Sequence, residues 1–333
     1  MHWNNMQAKI LVVGKQNHLG WIEHTIEGFL QTNAMVEHFF INKLTLKNTL
    51  LKGLYKNFHY EGGELKLQIQ ELEEKIKTFN PTLVVFVGAF FVPYELFALC
   101  KEKNIMTAAW VGDLFREDKK QYIPFIDKLY VSDSAFISVA QTLGFKEVHF
   151  LQFGYNPSLH VDLKLSRRNA INFIGSYTNE RDLTFQALKN CNFEIHGSHW
   201  EKLSQIGNHW QVENKKIDQK KVAHIYNTTL ATLNVAQKSN IIHMVNMRTF
   251  EAIACGSCMI NDNVKDLEFC FEPGKEILVY DSFEELEELT CKVFQDSTYA
   301  KEIAQNGYQR IIGSQFSYKD RASRILEDFN IRT

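Results

Sequence analysis

Short apolar runs, rich in β-branched and aromatic side chains, alternate along this chain with stretches of helical periodicity. In the first half the runs predict strands at Lys9–Val13, Glu37–Ile41, Leu83–Val87, Thr107–Val111, Lys128–Val131 and Val148–Gln152. Helical patterns fall between them at Ile22–Gln31, Leu65–Thr78, Tyr94–Lys103 and Ala135–Leu143. The second half repeats the alternation, with strands expected at Ile171–Ile174, Phe193–His196, Gln211–Glu213, Thr229–Asn234, Cys258–Asn261 and Glu276–Tyr280. Its helical patterns are Glu180–Lys189, Gln219–Asn227, Met247–Cys255, Phe283–Gln295, Tyr299–Ile312 and Tyr318–Phe329. Continuously apolar strands, rather than strands that alternate in and out, are buried on both faces, as in parallel sheets covered by helices. The expected fold class is therefore α/β, with one doubly wound sheet in each half. In such sheets ligands bind beyond the carboxyl ends of the strands.

Composition narrows the function classes. The chain has 333 residues, 45% hydrophobic and 23% charged, which is ordinary globular usage and excludes a disordered or fibrous protein. Lys plus Arg number 37 against 39 Asp plus Glu, a net charge of −2, so no global field favours nucleic acid and none is expected as a partner. No apolar run reaches the roughly 18–20 residues of a membrane span, and the first residues lack a signal peptide's pattern. A cytoplasmic address follows as the expectation. The six cysteines are too sparse for a disulfide scaffold. Cys255-Gly-Ser-Cys258 has C-x-x-C spacing, but no second such pair accompanies it, so two small semi-buried residues at a helix-to-strand turn are expected.

Several motifs are missing. Gly14-Lys-Gln-Asn-His-Leu-Gly20 follows the first strand without the G-x-G-x-x-G pattern, which disfavours a dinucleotide cofactor. There is no phosphate-binding P-loop, nucleophile elbow or H-E-x-x-H. No Asp-x-Asp is present to hold a metal-bound sugar diphosphate, so no metal is expected. The informative segment is Asn246-Met-Arg-Thr-Phe-Glu-Ala-Ile-Ala-Cys-Gly256, which reads as a helix running into a buried strand. Asn246 is a candidate N-cap, and the free N–H groups of the first turn suit a phosphate. Arg248 lies in that turn and can add a charge-assisted contact. Glu251 is three residues on, where a carboxylate can accept from two adjacent ribose hydroxyls. A plain Arg248–Glu251 surface pair fits the spacing equally well.

This segment resembles the donor-site helix of GT-B glycosyltransferases. More narrowly, the second half is similar to the CgeB-type family of spore-protein-like glycosyltransferases. The matching pieces are Phe173-Ile-Gly-Ser176 with Arg181, Ile195-His-Gly197, Leu233-Asn234, Arg248–Gly256 and Phe271–Asp281. Looser matches in the first half are Thr107–Asp113, Tyr130–Asp133 and Leu151–Pro157. The resemblance implies two Rossmann-like domains facing across a cleft and transfer of a sugar from a nucleotide-diphosphate donor. It implies an acceptor domain at 1–155, a linker at 156–168 and a donor domain at 169–316. The last helix, in 317–333, would pack back on the first domain. Glu251 matches the carboxylate that binds the nucleotide ribose. Arg181 and Arg248 match basic residues near the pyrophosphate, and Gly175 and Ser176 lie where backbone N–H groups approach the donor. His196, Asn234 and Asn246 are further donor-binding candidates. Many retaining relatives carry a second Glu eight residues before the first; His243 stands there instead, so the stereochemical outcome stays open.

Without a metal, the charge on the leaving diphosphate needs fixed donors, for which Arg181, Arg248 and a helix N-terminus are the candidates. If the reaction inverts, a base must take the acceptor's proton; His18 and Asp113, both after first-half strands, are the candidates. Lys43, Lys47, Lys52 and Lys56, mixed with leucines, are compatible with peripheral membrane contact and a lipid-linked acceptor, but also with a solvated connector. Trp200 and Trp210 fit either a stacking platform or the core. The acceptor is a glycan, a protein or a lipid-linked molecule. Alternative readings are a nucleotide-sugar epimerase on the same fold and a non-catalytic carbohydrate-binding relative.

Overall fold

A computed structural model describes residues 7–16, 20–41, 61–186 and 188–332, the side chains of 61–64 excepted. The chain divides into two compact units, Met1–Leu151 with Ala322–Thr333, and Gln152–Arg321.

In the first unit β1 (Lys9–Gly14), β2 (Met35–Phe40), β3 (Leu83–Val87), β4 (Met106–Val111), β5 (Lys128–Val131) and β6 (Val148–Phe150) form one sheet. Their order is β2-β1-β3-β4-β5-β6, and every pairing is parallel. The helices described are α1 (Trp21–Leu30), α2 (Glu61–Phe79), α3 (Tyr94–Glu102) and α4 (Phe136–Leu143). The apolar runs predicted to be buried are buried: Leu11, Val13, Val84 and Phe86 share a core with Leu72 of α2 and Leu96 and Phe97 of α3. Phe86 and Phe97 stack with ring centroids 3.6 Å apart. Residues after Ala322 belong with this unit: Tyr130 donates to Asp328 at 3.2 Å, and Lys128 Nζ lies 5.6 Å from the Phe329 ring centroid.

The second unit holds β7 (Arg168–Ile174), β8 (Phe193–Gly197), β9 (Trp210–Asn214), β10 (Thr229–Asn234), β11 (Cys258–Asp262) and β12 (Leu278–Tyr280). These pair in parallel in the order β12-β11-β10-β7-β8-β9. The helices are α5 (Asn179–Gln186), α6 (Gln219–Thr228), α7 (Met247–Ala254), α8 (Phe283–Gln295), α9 (Ser297–Ile312) and α10 (Tyr318–Asp328), the last crossing into the first unit. The order reverses between β7 and β10, and the crevice at their carboxyl ends is the switch point where this architecture binds ligands. The sheet's centre contains a polar pin. Asn172 Nδ2 donates to Thr229 Oγ1, Ala231 O and Thr232 Oγ1 at 2.6, 3.0 and 2.8 Å. Groups so buried require partners, and these fix the β7–β10 register.

Some expectations are corrected. The segment 156–168, expected as a linker, is tied into the second unit. Leu163 N donates to Asn227 Oδ1 at 2.7 Å. Arg167 donates to the carbonyls of Tyr226, Thr229 and Cys255 at 2.6, 3.0 and 2.7 Å. Trp200 and Trp210 are core residues whose indoles donate to Gly175 O and Leu188 O at 2.8 and 3.0 Å, so neither is a platform. Cys255 and Cys258 are free and buried, and burial pushes both thiols up, Cys258 to about 12. They are packing residues, as the turn reading expects. Among the described residues no helix is long and apolar enough to cross a membrane. Lys43, Lys47, Lys52 and Lys56 lie outside the described residues.

Candidate functional site

The switch point of the second sheet is assembled from β7, β10 and α7. Phe173 points its ring into the core near the end of β7, and the chain then turns at Gly175. A Cβ there would lie 2.9 Å from the Phe173 ring and 3.0 Å from Arg248 Nη2, so the glycine leaves room for the arginine. The Gly175 amide is not available to a ligand, contrary to expectation, because it donates to His196 O at 2.9 Å. Gly197 carries φ +147°, and its Cβ would meet Gly175 O at 1.9 Å. These two strand ends pack backbone to backbone, which only glycine allows. Ser176 shares a 3.0 Å hydrogen bond with Ser198 through their hydroxyls.

Asn246 caps α7, its side chain accepting from Arg248 N at 3.1 Å. Its Nδ2 donates to Asn234 Oδ1 at 2.7 Å. Arg248 reaches back across the switch point, with Nε donating to Ile174 O at 2.6 Å and Nη1 to Asn234 Oδ1. Arg181, on the first turn of α5, donates through Nη1 to Ser176 O at 2.6 Å and through Nη2 to Val235 O at 3.4 Å. Both guanidinium groups lie by the Phe173 ring, 5.1 and 4.8 Å from its centroid. Such contacts stabilise a cation most where it is desolvated.

The charge at this crevice is unbalanced. Arg181 is only 8% exposed, and its buried Nε has no hydrogen-bond partner. Among the described residues neither Arg181 nor Arg248 has a carboxylate within 4.0 Å. Burial, with Arg248 as a second cause, lowers Arg181 to about 9, and burial lowers Arg248. Buried charge with no direct ion pair is costly; Asp262, and Glu251 for Arg248, act on these cations only from beyond that distance, and two adjacent cations at a helix N-terminus make a place for a compact polyanion. Glu251 lies one turn further along α7, 5% exposed, and burial pushes its carboxyl up to about 8 against the pull of Arg248. The exposed Arg248–Glu251 surface pair is thereby excluded.

The structure thus gathers Gly175, Ser176, Arg181, Asn234, Asn246 and Arg248 around one crevice. His196 does not join them. Its Nδ1 is 3.0 Å from Glu213 Oε2 and its Nε2 is 3.7 Å from Glu194 Oε2. Burial would raise Glu194, but His196 and Arg168 hold it down to about 2. Lys215, Lys221 and His196 do the same to Glu213. In the first unit Asp113 follows β4, half-buried, and burial raises its carboxyl. His18 lies outside the described residues.

Residues 181–327 match the model of the glycosyl transferase-like family Glyco_trans_1_2, an extent that begins at Arg181 and includes Arg248 and Glu251. The second unit is a glycosyltransferase domain. Solved structures extend the likeness to the whole chain. HepE from Anabaena, crystallised with UDP and glucose, is similar over 97% of this chain and 100% of its own, at 13% identity and a TM-score of 0.70. Sucrose-phosphate synthase from Thermosynechococcus elongatus covers 97% and 98%, at 11% and 0.67. A Listeria monocytogenes protein described as a UDP-N-acetylglucosamine 2-epimerase covers 98% and 96%, at 10% and 0.63. At these identities the likeness establishes the fold, which is GT-B. No curated protein sequence matches the chain.

Two parts of the glycosyltransferase domain's crevice are not evident from the sequence pattern. Phe173 reads as a core residue and is one, yet it also carries both guanidinium groups. Asp262 ends β11, where its Oδ2 accepts from Ala236 N at 2.9 Å. Its only sequence signal is that it closes the polar pair Asn261-Asp262 directly after the apolar run Cys258-Met-Ile260.

Proposed function

We propose that the protein transfers a sugar from a nucleoside diphosphate sugar, without a bound metal, to a glycan, protein or lipid-linked acceptor. The observation that carries this reading is the pair of buried guanidinium groups, Arg181 and Arg248, neither ion-paired within 4.0 Å among the described residues, at the switch point beside the N-terminus of α7. In this reading they take the diphosphate. As the glycosidic bond breaks, negative charge grows on the leaving phosphate, and fixed cations stabilise it without reorganising. Glu251, on the same helix, receives the ribose hydroxyls. Asn246 caps the helix that presents these groups. Asp113, at the carboxyl edge of the first sheet, is the candidate for acceptor recognition and proton removal, with His18 as the second. The UDP and UDP-glucose complexes of Anabaena HepE favour a uridine nucleotide. The narrower CgeB-type resemblance rests on the motifs around Gly175, Arg181 and Glu251.

Calorimetric titration with uridine, guanosine, cytidine, thymidine and adenosine diphosphates, without metal and with magnesium, tests the reading. Selective binding that magnesium does not improve, and that Arg181→Ala abolishes in a folded variant, is the expected result. A folded parent that binds none of the five refutes it and brings forward a non-catalytic carbohydrate-binding role.

The likeness to the Listeria protein described as an epimerase supports a second reading, in which the same crevice holds a nucleotide sugar that is isomerised. An epimerase converts the sugar with no acceptor present, whereas a transferase releases nucleoside diphosphate only as the acceptor is glycosylated.

A further inference from the structure

We propose that Asp262 is the positioning residue of this crevice, setting the amide of Asn234 and through it the aim of Arg248. The ligand-binding consequence rests on the reading of the site given above; the positioning itself does not. Asp262 is 7% exposed at the end of β11, the strand beside β10. Its two oxygens face three donors, one of them Asn261 Nδ2 at 3.4 Å from Oδ1. Oδ2 accepts from Ala236 N at 2.9 Å, and Oδ1 faces Asn234 Nδ2 at 3.4 Å. Because the NH2 of Asn234 is drawn to the carboxylate, its Oδ1 faces the other way. There it accepts from Asn246 Nδ2 at 2.7 Å and from Arg248 Nη1. Flipping the amide would set NH2 against two donors and oxygen against a carboxylate. The carboxylate therefore leaves Asn234 one orientation.

The second grip acts on Arg181. Ala236 follows Val235, whose carbonyl accepts from Arg181 Nη2 at 3.4 Å. Anchoring Ala236 N fixes that carbonyl at the start of the loop from β10 to α7. Both cations are thus aimed by contacts that lead back to one side chain which touches neither of them within hydrogen-bonding distance. Asparagine cannot substitute. It offers one acceptor oxygen, and its NH2 would confront either Ala236 N–H or the NH2 of Asn234.

The test uses the full chain in three forms: Asp262→Asn, Asn234→Asp, and the reciprocal double variant. The first readout needs no ligand. It is the solvent-exchange rate of the Arg248 Nε–H signal in nitrogen-15 NMR, slow in the parent because the group is hydrogen-bonded to Ile174 O. Asp262→Asn should raise the rate at least tenfold. The double variant keeps Ala236 N, Asn246 Nδ2 and Arg248 Nη1 facing acceptors, while Asn261 Nδ2 retains its 2.7 Å bond to the main-chain oxygen of residue 262; it should restore slow exchange, which repair of a merely misfolded protein would not do. The second readout is UDP affinity with uridine as control. Asp262→Asn should weaken UDP tenfold or more and leave uridine within twofold. An unchanged Arg248 signal in folded Asp262→Asn, or a double variant that does not restore it, overturns the proposal. If Asp262→Asn does not fold, the Asn234→Asp and double variants carry the same comparison. A parent that binds neither UDP nor any other nucleoside diphosphate refutes the donor-site reading instead, and the exchange rates still decide the role of Asp262.

Discussion

Replacing Glu251 by glutamine should stabilise the free protein at neutral and alkaline pH. The carboxyl is 5% exposed, and burial raises it from 4.5 to about 8. In the unfolded chain it loses its proton near 4.5, while the native protein keeps it. Between these values the native state binds more protons than the unfolded one, so stability falls as pH rises. Each pH unit in that window costs about 1.4 kcal/mol, and from 4.5 to 7 the loss is about 3 kcal/mol. Glutamine does not titrate and keeps one donor and one acceptor in nearly the same volume. Asp262, which burial raises to about 6, titrates in both proteins and cancels in the difference. The gap in melting temperature between Glu251→Gln and the parent should therefore widen from pH 5 to pH 8. For a unit of this size 1 kcal/mol is about 2–4 °C, so the widening should reach roughly 6 °C or more. Calorimetric scans at each pH measure it. A gap that stays constant across pH refutes the raised pKa. The variant should also bind nucleoside diphosphate more weakly if Glu251 receives the ribose, which would make the buried acid a stability cost retained for ligand recognition.

Other outcomes follow from the same geometry. Arg181→Ala should lower turnover by roughly 100- to 1,000-fold, the loss of about 2.7–4 kcal/mol typical of a fixed donor to a developing oxyanion. Arg181→Lys should not rescue it, because an ammonium cannot hold Ser176 O and Val235 O together; steady-state kinetics on folded variants read both. Gly197→Ala places a Cβ 1.9 Å from Gly175 O at φ +147° and should cost more than about 2 kcal/mol, seen as a lower denaturation midpoint. Thiol titration of the native protein should find Cys291 reacting fast and Cys100, Cys191, Cys255, Cys258 and Cys270 only after unfolding, since Cys291 alone of the six is exposed.

Most strands were legible because they are short apolar runs, although β2, β8 and β9 interleave polar residues. Their ends were not, where polar residues take part. β7 starts at Arg168 rather than Ile171, and Arg168 forms a bidentate pair with Glu194 on β8 at 3.0 and 2.9 Å. Nothing local to Arg168 announces that partner 26 residues away. The 3-10 stretch Glu117–Phe125 contains Pro124 and has no helical period to detect. Segment 156–168 shows the same limit: it is polar in composition, yet Arg167 spends its donors on three backbone carbonyls.

The crevice divides along the same line. The cap at Asn246 and the arginine two residues later are local, and the sequence displays them. What Arg248 grips is Ile174, 74 residues earlier, and that contact depends on a strand order that spacing alone does not encode. Charge balance is less visible still. A chain with net charge −2 and 39 acidic residues offers ample carboxylates for every arginine, and Arg168 and Arg324 do take them. Arg181 and Arg248 instead bind carbonyl oxygens, which orient a guanidinium without neutralising it. Two buried cations held by neutral acceptors, with Asp262 acting on them only at longer range, remain attractive to an anion, and a directly paired carboxylate would have weakened that attraction. The ligand preference of the crevice therefore follows less from which residues it contains than from which acceptors hold them.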